Sequence, residues 1–177
     1  MTNVPQYEIP LIDIGVNLTH AAFDDNLTSV LDRAQQANIS KLIITGTDEK
    51  GSTRSLNLCQ EMALDYPNML YATCGIHPHN AKEFNTETID NLKDLAANKE
   101  VVAIGETGLD FHRNFSSPKD QEKVFEAQLE LAAELQLPVF LHERDAHQRQ
   151  LEILRQYRDC LTNAVIHCFT GDQASLF

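Results

Sequence analysis

The sequence predicts an α/β fold of repeated βα units around a parallel sheet, of the (β/α)8 TIM-barrel type. Three observations predict it. Short apolar runs alternate with longer amphipathic segments, no glycine-rich loop follows the first run, and the residues able to do chemistry fall at the C-terminal ends of several runs. Strands buried on both faces read as continuous apolar runs, and their alternation with helical patterns calls for parallel pairing through crossovers. An open dinucleotide-binding sheet needs GxGxxG after its first strand, where this chain has Asn17-Leu18-Thr19-His20. Barrel enzymes gather functional side chains at the C-terminal ends of different strands.

The runs are Leu11 to Leu18, Lys41 to Gly46, Leu70 to Ile76, Val101 to Glu106, Pro138 to His142 and Ala164 to Phe169. Each has the length of a strand buried on both faces. Between them, Leu27, Val30, Leu31 and Ala34 share a helical face, as do Leu56, Cys59 and Ala63, then Ile89, Leu92 and Leu95 or Ala96, then Phe125, Leu129 and Ala132, and last Leu151, Leu154 and Arg158 or Tyr157. Ser117-Pro118, with Asp120 behind it, reads as an N-cap followed by proline in the first helical position. No linker divides residues 1–177, so one domain is expected. Five βα units and a sixth strand fall two units short of eight. The expectation is an incomplete barrel with open edges on its first and sixth strands. A helix is due near Ser175-Leu176-Phe177, and the parent would be a monomer near the usual barrel length of about 250 residues.

The 177 residues are 42% hydrophobic, enough for one sizeable core. The net charge of −12 argues against broad electrostatic capture of a phosphate backbone, although it leaves room for an enzyme that grips one phosphodiester. No apolar stretch is long enough to span a membrane, and Met1 to Pro10 lacks the basic start and apolar run of a signal peptide. A cytoplasmic location is expected. Cys59, Cys74, Cys160 and Cys168 form no CxxC pair and read as reduced thiols filling apolar strands and helix faces.

At the strand ends stand Asp13, Gly15 and Asn17, then His77-Pro78-His79, then Glu106 with Gly108, Leu109 and Asp110, then His142 with Arg144 and Asp145, then His167. One histidine in such a place is most often a hydrogen-bonded rim residue. A glutamate at the end of an apolar strand needs a partner, which a metal or an arginine would supply. Glu106, His142 and His167 hold equivalent positions on three successive strands. One carboxylate and two imidazoles can ligate Mg²⁺, Mn²⁺ or Zn²⁺ and leave room for water and substrate. His77 and His79 read equally well as loop residues set by Pro78 or as substrate contacts. Arg113 and Arg144 are candidate phosphate contacts because guanidinium binds phosphate in a bidentate way. His20, His112 and His147 read as surface residues.

Four strings carry a resemblance. Gly75-Ile76-His77-Pro78-His79, Ala103-Ile104-Gly105-Glu106-Thr107-Gly108-Leu109-Asp110, Pro138-Val139-Phe140-Leu141-His142-Glu143-Arg144-Asp145-Ala146 and His167-Cys168-Phe169-Thr170-Gly171 resemble, in order, the G-[IV]-H-P, AIGE-x-GLD, P-V-x-x-H-x-R-x-A and H-C-F-x-G motifs of the TatD family. The resemblance runs from Leu11 to the end of the chain. It implies a TIM barrel of the metal-dependent hydrolase superfamily and a Mg²⁺-dependent nuclease with Glu106, His142 and His167 as ligands. It also implies catalytic roles for Glu106 and His77, and 3′-to-5′ exonuclease action on single-stranded DNA or RNA. His79, Asn17, Arg113 and Arg144 are the expected substrate contacts. Many family members carry His-x-His on the first strand, where this chain has Gly15 and Asn17, as in the TatD subgroup proper. The family's E-T-D motif is expected beyond Phe177. Two other readings stand beside the nuclease: an amidohydrolase cutting C–N bonds on the same fold, and a remnant that no longer turns over.

Overall fold

The computed structural model describes residues 9–173. The expected end of the chain near Ser175 to Phe177, and residues 1–8, lie outside that span. Six parallel strands, β1 (Leu11–Val16), β2 (Ile39–Ile44), β3 (Leu70–Cys74), β4 (Val101–Asp110), β5 (Val139–Arg144) and β6 (Ala164–Ile166), pair strictly in sequence order. A doubly wound sheet reverses its order at a switch point. An order that never reverses, with crossovers of one hand, keeps the helices on one side and curls the sheet into a half-barrel.

The crossovers are α1 (Leu27–Gln36), α2 (Glu49–Glu61), α3 (Thr88–Ala96), α4 (Pro118–Leu135) and α5 (His147–Tyr157). Local chemistry starts two of them. Asp48 accepts the Gly51 N–H at 2.7 Å ahead of α2, and Ser117 accepts the Asp120 N–H at 3.2 Å ahead of Pro118, each satisfying a donor that the first helical turn leaves open. The helices press Leu31, Leu56, Leu92, Phe125, Leu129 and Ile153 onto Leu42, Ile44, Ala72, Ile104, Val139 and Leu141, and all of these are buried.

The expectation of burial on both faces holds for the middle of the sheet and fails at its edges. β1 and β6 are largely exposed, with Ile12 at 52% and Val165 at 42%. An edge strand has a neighbour on one side only, and its apolar sequence does not supply the missing cover. Cys59 and Cys74 are buried, where burial pushes both thiols up to about 12. Cys160 and Cys168 are exposed rather than core filler, because both lie in the loops around β6.

β4 runs further than its apolar stretch, and this positions the site. Gly105 and Gly108 adopt φ of +139° and +138°, which L side chains rarely adopt. A Cβ on Gly108 would stand 2.0 Å from the His142 carbonyl oxygen. The pairing with β5 slips between Ile104 and Thr107, and the Glu106 N–H donates instead to the Gly46 carbonyl at 2.8 Å. Three buried glutamines satisfy the backbone around this irregularity. Gln128 of α4 accepts from Ile76 N–H and donates to Thr107 Oγ1. Gln121 accepts from Asp110 N–H and donates to Ser116 C=O. Gln150 of α5 accepts from Leu109 N–H.

Candidate metal centre

Four histidines and two carboxylates converge at the C-terminal mouth of β3 to β6. Glu106 is 6% exposed. Its Oε1 lies 2.5 Å from His167 Nε2, 3.1 Å from His142 Nδ1 and 3.7 Å from His77 Nε2. Burial alone would push the Glu106 carboxyl up. Hydrogen bonds from His142 and His167, with the nearby His77, outweigh it and hold the group far below the usual carboxylate range. The structure therefore brings Glu106, His142 and His167 to one point, although β6 ends at Ile166 and His167 stands just past it.

His77 and His79 do not sit in an irregular loop. They open a short 3-10 helix, Pro78–Glu83, with His77 as its cap. His77 Nδ1 accepts the His79 N–H at 3.1 Å. Burial, with neighbouring charges that partly oppose it, lowers the His77 imidazole to about 3. The neutral ring thus carries its proton on Nε2 and turns an N–H toward Glu106. His77, Glu106 and His142 offer ligand atoms within 4.8 Å of one another. With its Nδ1 so engaged, His77 stands as a hydrogen-bond donor toward Glu106, beside the ring nitrogens of His142 and His167.

A residue that the sequence sets at a strand end without a role, Asp110, completes the cluster. Asp110, 1% exposed, accepts from the backbone N–H groups of His112 and Arg113 and meets His79 Nε2 at 2.7 Å. Burial works to raise its carboxyl, but the Arg113 N–H and the His79 bond hold it below the usual range. Its Oδ2 is 3.4 Å from His142 Nε2, near enough for charge attraction yet outside hydrogen-bond geometry, so that buried nitrogen has no hydrogen-bond partner. The His142 imidazole stays above its ordinary range: burial lowers it, and Glu106 and Asp110 outweigh that. The signal in the sequence was present, since a carboxylate two residues beyond a glycine inside a buried strand needs partners.

The remaining predicted contacts divide. Arg113 lies exposed in the loop after β4 and Arg144 is the exposed last residue of β5, and neither guanidinium forms an ion pair among the described residues. Asn17 is exposed at the end of β1, where its carbonyl accepts from His20 N–H, and the structure does not bring its side chain to the cluster. A Cβ on neighbouring Gly15 would fall 3.2 Å from Phe140 Cζ and 3.8 Å from His167 Nδ1. Phe140 stacks on His167 with ring centres 4.7 Å apart. His20 caps the 3-10 turn Ala21–Phe23, His112 pairs with Asp145 at 2.8 Å on the surface, and His147 starts α5.

A divalent ion fits this donor set. A buried carboxylate oxygen faces two imidazole nitrogens able to bind in the neutral state, one of the rings keeps a second nitrogen unpartnered, and the His79–Asp110 pair buttresses the cluster from behind.

Comparison with known proteins places this geometry. The model of the family described as TatD related DNase matches residues 12–176. Proteins named 3'-5' ssDNA/RNA exonuclease TatD from Erwinia amylovora and Yersinia pseudotuberculosis are 49% and 47% identical over 166 residues, which is 94% of this chain and 62% of each relative. The TatD homologue YJJV from Escherichia coli K12 superposes with a TM-score of 0.81 at 28% identity, over 93% of this chain and 62% of its own. A TatD family hydrolase from Entamoeba histolytica gives 0.85 at 27%, over 98% and 62%. The chain thus spans about three-fifths of the length of the relatives it matches.

Proposed function

The chain belongs to the TatD related DNase family, and from that premise we propose that it forms the metal-binding part of a 3′-to-5′ exonuclease acting on single-stranded DNA or RNA. The observation that carries the reading is Glu106 with two ligand-competent imidazoles on one oxygen, at the end of the barrel where such folds do chemistry. Glu106, His142 and His167 would hold the ion. Mg²⁺ is proposed from the family, and the imidazoles suit Mn²⁺ and Zn²⁺ as well. When bound, such an ion polarises a phosphoryl oxygen and lowers the pKa of a water.

The residues do the rest. His77 offers its Nε2–H to a phosphoryl oxygen and stays neutral through the physiological range. Arg113 and Arg144 carry unpaired guanidiniums where the flanking phosphates would lie, and His79, held by Asp110, lines the entrance. Asn17 remains a proposed contact from the first strand. The amidohydrolase reading has one observation of its own, a superposition on an uncharacterized amidohydrolase from Saccharomyces cerevisiae with a TM-score of 0.84 at 25% identity, which speaks for the shared fold.

The activity proposed is that of a protein of the relatives' full length, cytoplasmic and monomeric, in which residues 1–177 form one incomplete barrel domain. Among the described residues no helix is long and apolar enough to cross a membrane. The open edges of β1 and β6, with Leu11, Ile12, Ile14 and Val165 exposed, are the surfaces that further strands would cover. The test is a 5′-labelled single-stranded oligonucleotide incubated with Mg²⁺ or EDTA. Metal-dependent shortening from the 3′ end is expected, weak for this chain and strong for one extended to the relatives' length. Hydrolysis of amide substrates with the oligonucleotide left intact would overturn the reading in favour of the amidohydrolase.

A further inference from the structure

We infer that Phe115 is a base-stacking platform at the rim of the site, on which a single-stranded nucleic acid lays the nucleobase next to the phosphodiester held at Glu106. This rests on the reading above and deepens it. Phe115 is 56% exposed in the loop between β4 and α4. Most of the other large exposed apolar side chains have an explanation in the sheet. Ile9, Leu11, Ile12 and Ile14 lie on or before β1, and Val165 lies on β6, the two open edges. Phe115 lies on no strand edge, and it stands beside the histidines.

Its ring meets His79 edge-on, with centres 4.7 Å apart at 70°. His79 in turn lies 4.2 Å from His77, ring centre to ring centre, and bonds Asp110. The phenyl is therefore two rings away from Glu106. Its backbone is pinned on both sides. Asn114 before it adopts φ of +49° and donates to Phe111 C=O at 2.6 Å. Ser116 after it is buried, donates to His79 C=O at 2.9 Å, accepts from Lys82 N–H at 3.0 Å, and gives its own carbonyl to Gln121. A fixed, exposed aromatic loses little freedom on binding.

The charge of the protein sharpens the point. With a net charge of −12, attraction to the phosphate backbone cannot supply most of the affinity. Stacking is uncharged and tolerates any base, because every base has a π-face. It suits an enzyme that shortens strands without regard to sequence.

The chain has no tryptophan, so F115W places a single indole reporter at the rim. The probes are oligothymidylate and an abasic oligonucleotide of the same length and charge, in EDTA and in Mg²⁺. Oligothymidylate is expected to quench the F115W emission and the abasic strand is not. Wild type should bind oligothymidylate roughly 5- to 150-fold more tightly than F115A, while the two bind the abasic strand equally. Equal affinity of wild type and F115A for oligothymidylate overturns the inference and leaves the nuclease reading in place. Failure of the wild type to bind either strand in Mg²⁺ overturns both. Because the side chain is exposed, both variants should keep the wild-type circular dichroism spectrum, and a difference in affinity then reports the lost ring.

Discussion

Nε2 of His167 meets Oε1 of Glu106 at 2.5 Å, whereas Nε2 of His77 stands 3.7 Å from the same oxygen and, by the bond at its Nδ1, carries the proton. The proposed function gives these two histidines different work, His167 as a ligand and His77 as a hydrogen-bond donor. His167→Ala should weaken ion binding by more than about 100-fold, beyond the usual effect of a group that only supports a ligand. His77→Ala should leave ion affinity within about threefold and lower turnover by about 10²–10³-fold, the span of a lost hydrogen-bond donor to developing charge. Calorimetric titration and an oligonucleotide assay on both variants check this. Equal loss of ion binding in the two would return His77 to the ligand set.

The pH dependence follows from the directions of the shifts. His142 is raised above its ordinary value, so an ion binding there must displace a proton up to and beyond pH 6.5. Ion affinity should be at least about tenfold weaker at pH 5 than at pH 8. Without the ion, His77 is lowered to about 3. The unfolded chain takes up a proton below about pH 6.5 that the folded ring refuses, so stability falls as pH drops from there toward 3. Glu106, depressed in the fold, removes more stability below about pH 4.5. His142 has the opposite sign: its contribution is complete below 6.5 and fades as pH rises through its raised value. Metal-free melting temperatures across pH 3 to 9 read these signs. A melting temperature that holds steady from pH 6.5 down to 4 would contradict the burial of a neutral His77.

Asp110 orients His79 directly and His142 by charge. Asp110→Asn keeps the shape and removes the charge. It should weaken ion binding by about 10–100-fold, as loss of a supporting carboxylate does, while the fold stays intact because Gln121 holds the Asp110 backbone rather than its side chain. Unchanged ion affinity would reduce Asp110 to a loop-capping role through the His112 and Arg113 N–H groups.

Arg113→Ala and Arg144→Ala should raise KM for an oligonucleotide by about tenfold each, the loss expected of one charge-assisted phosphate contact. Ion affinity should not change, since neither guanidinium touches the ligand set. Wild-type KM in both variants would remove them from the substrate path.

Much of this was legible in the chain, and the misses have physical causes. All six strands were readable, because buried parallel strands are continuous apolar runs. Their ends were not. β4 continues to Asp110 because Gly105 and Gly108 let it slip against β5, a relation between two strands that no local pattern holds. α4 announced its start through Ser117-Pro118, whereas α2 begins at Glu49, ahead of its apolar face, because Asp48 caps it. The exposure of β1 contradicts its apolar sequence, since burial depends on neighbours rather than on composition. Glu106, His142 and His167 could be singled out because each falls at or near the end of an apolar run. Asp110 could not be paired in advance, since its partner His79 comes from the 3-10 helix after β3, and Phe115 reads as one more phenylalanine until its exposure is known.

The most direct measurement is calorimetric titration of Mn²⁺ into the 177-residue chain and its Glu106→Gln variant at pH 8. The amide keeps the size of the side chain and removes the negative charge that the two imidazoles share. One ion bound per wild-type chain is expected, and none detectable in the variant at the same concentrations. Equal stoichiometry and affinity in both would mean that Glu106 holds its histidines for structural reasons alone, and that the ion, if the protein uses one, binds elsewhere.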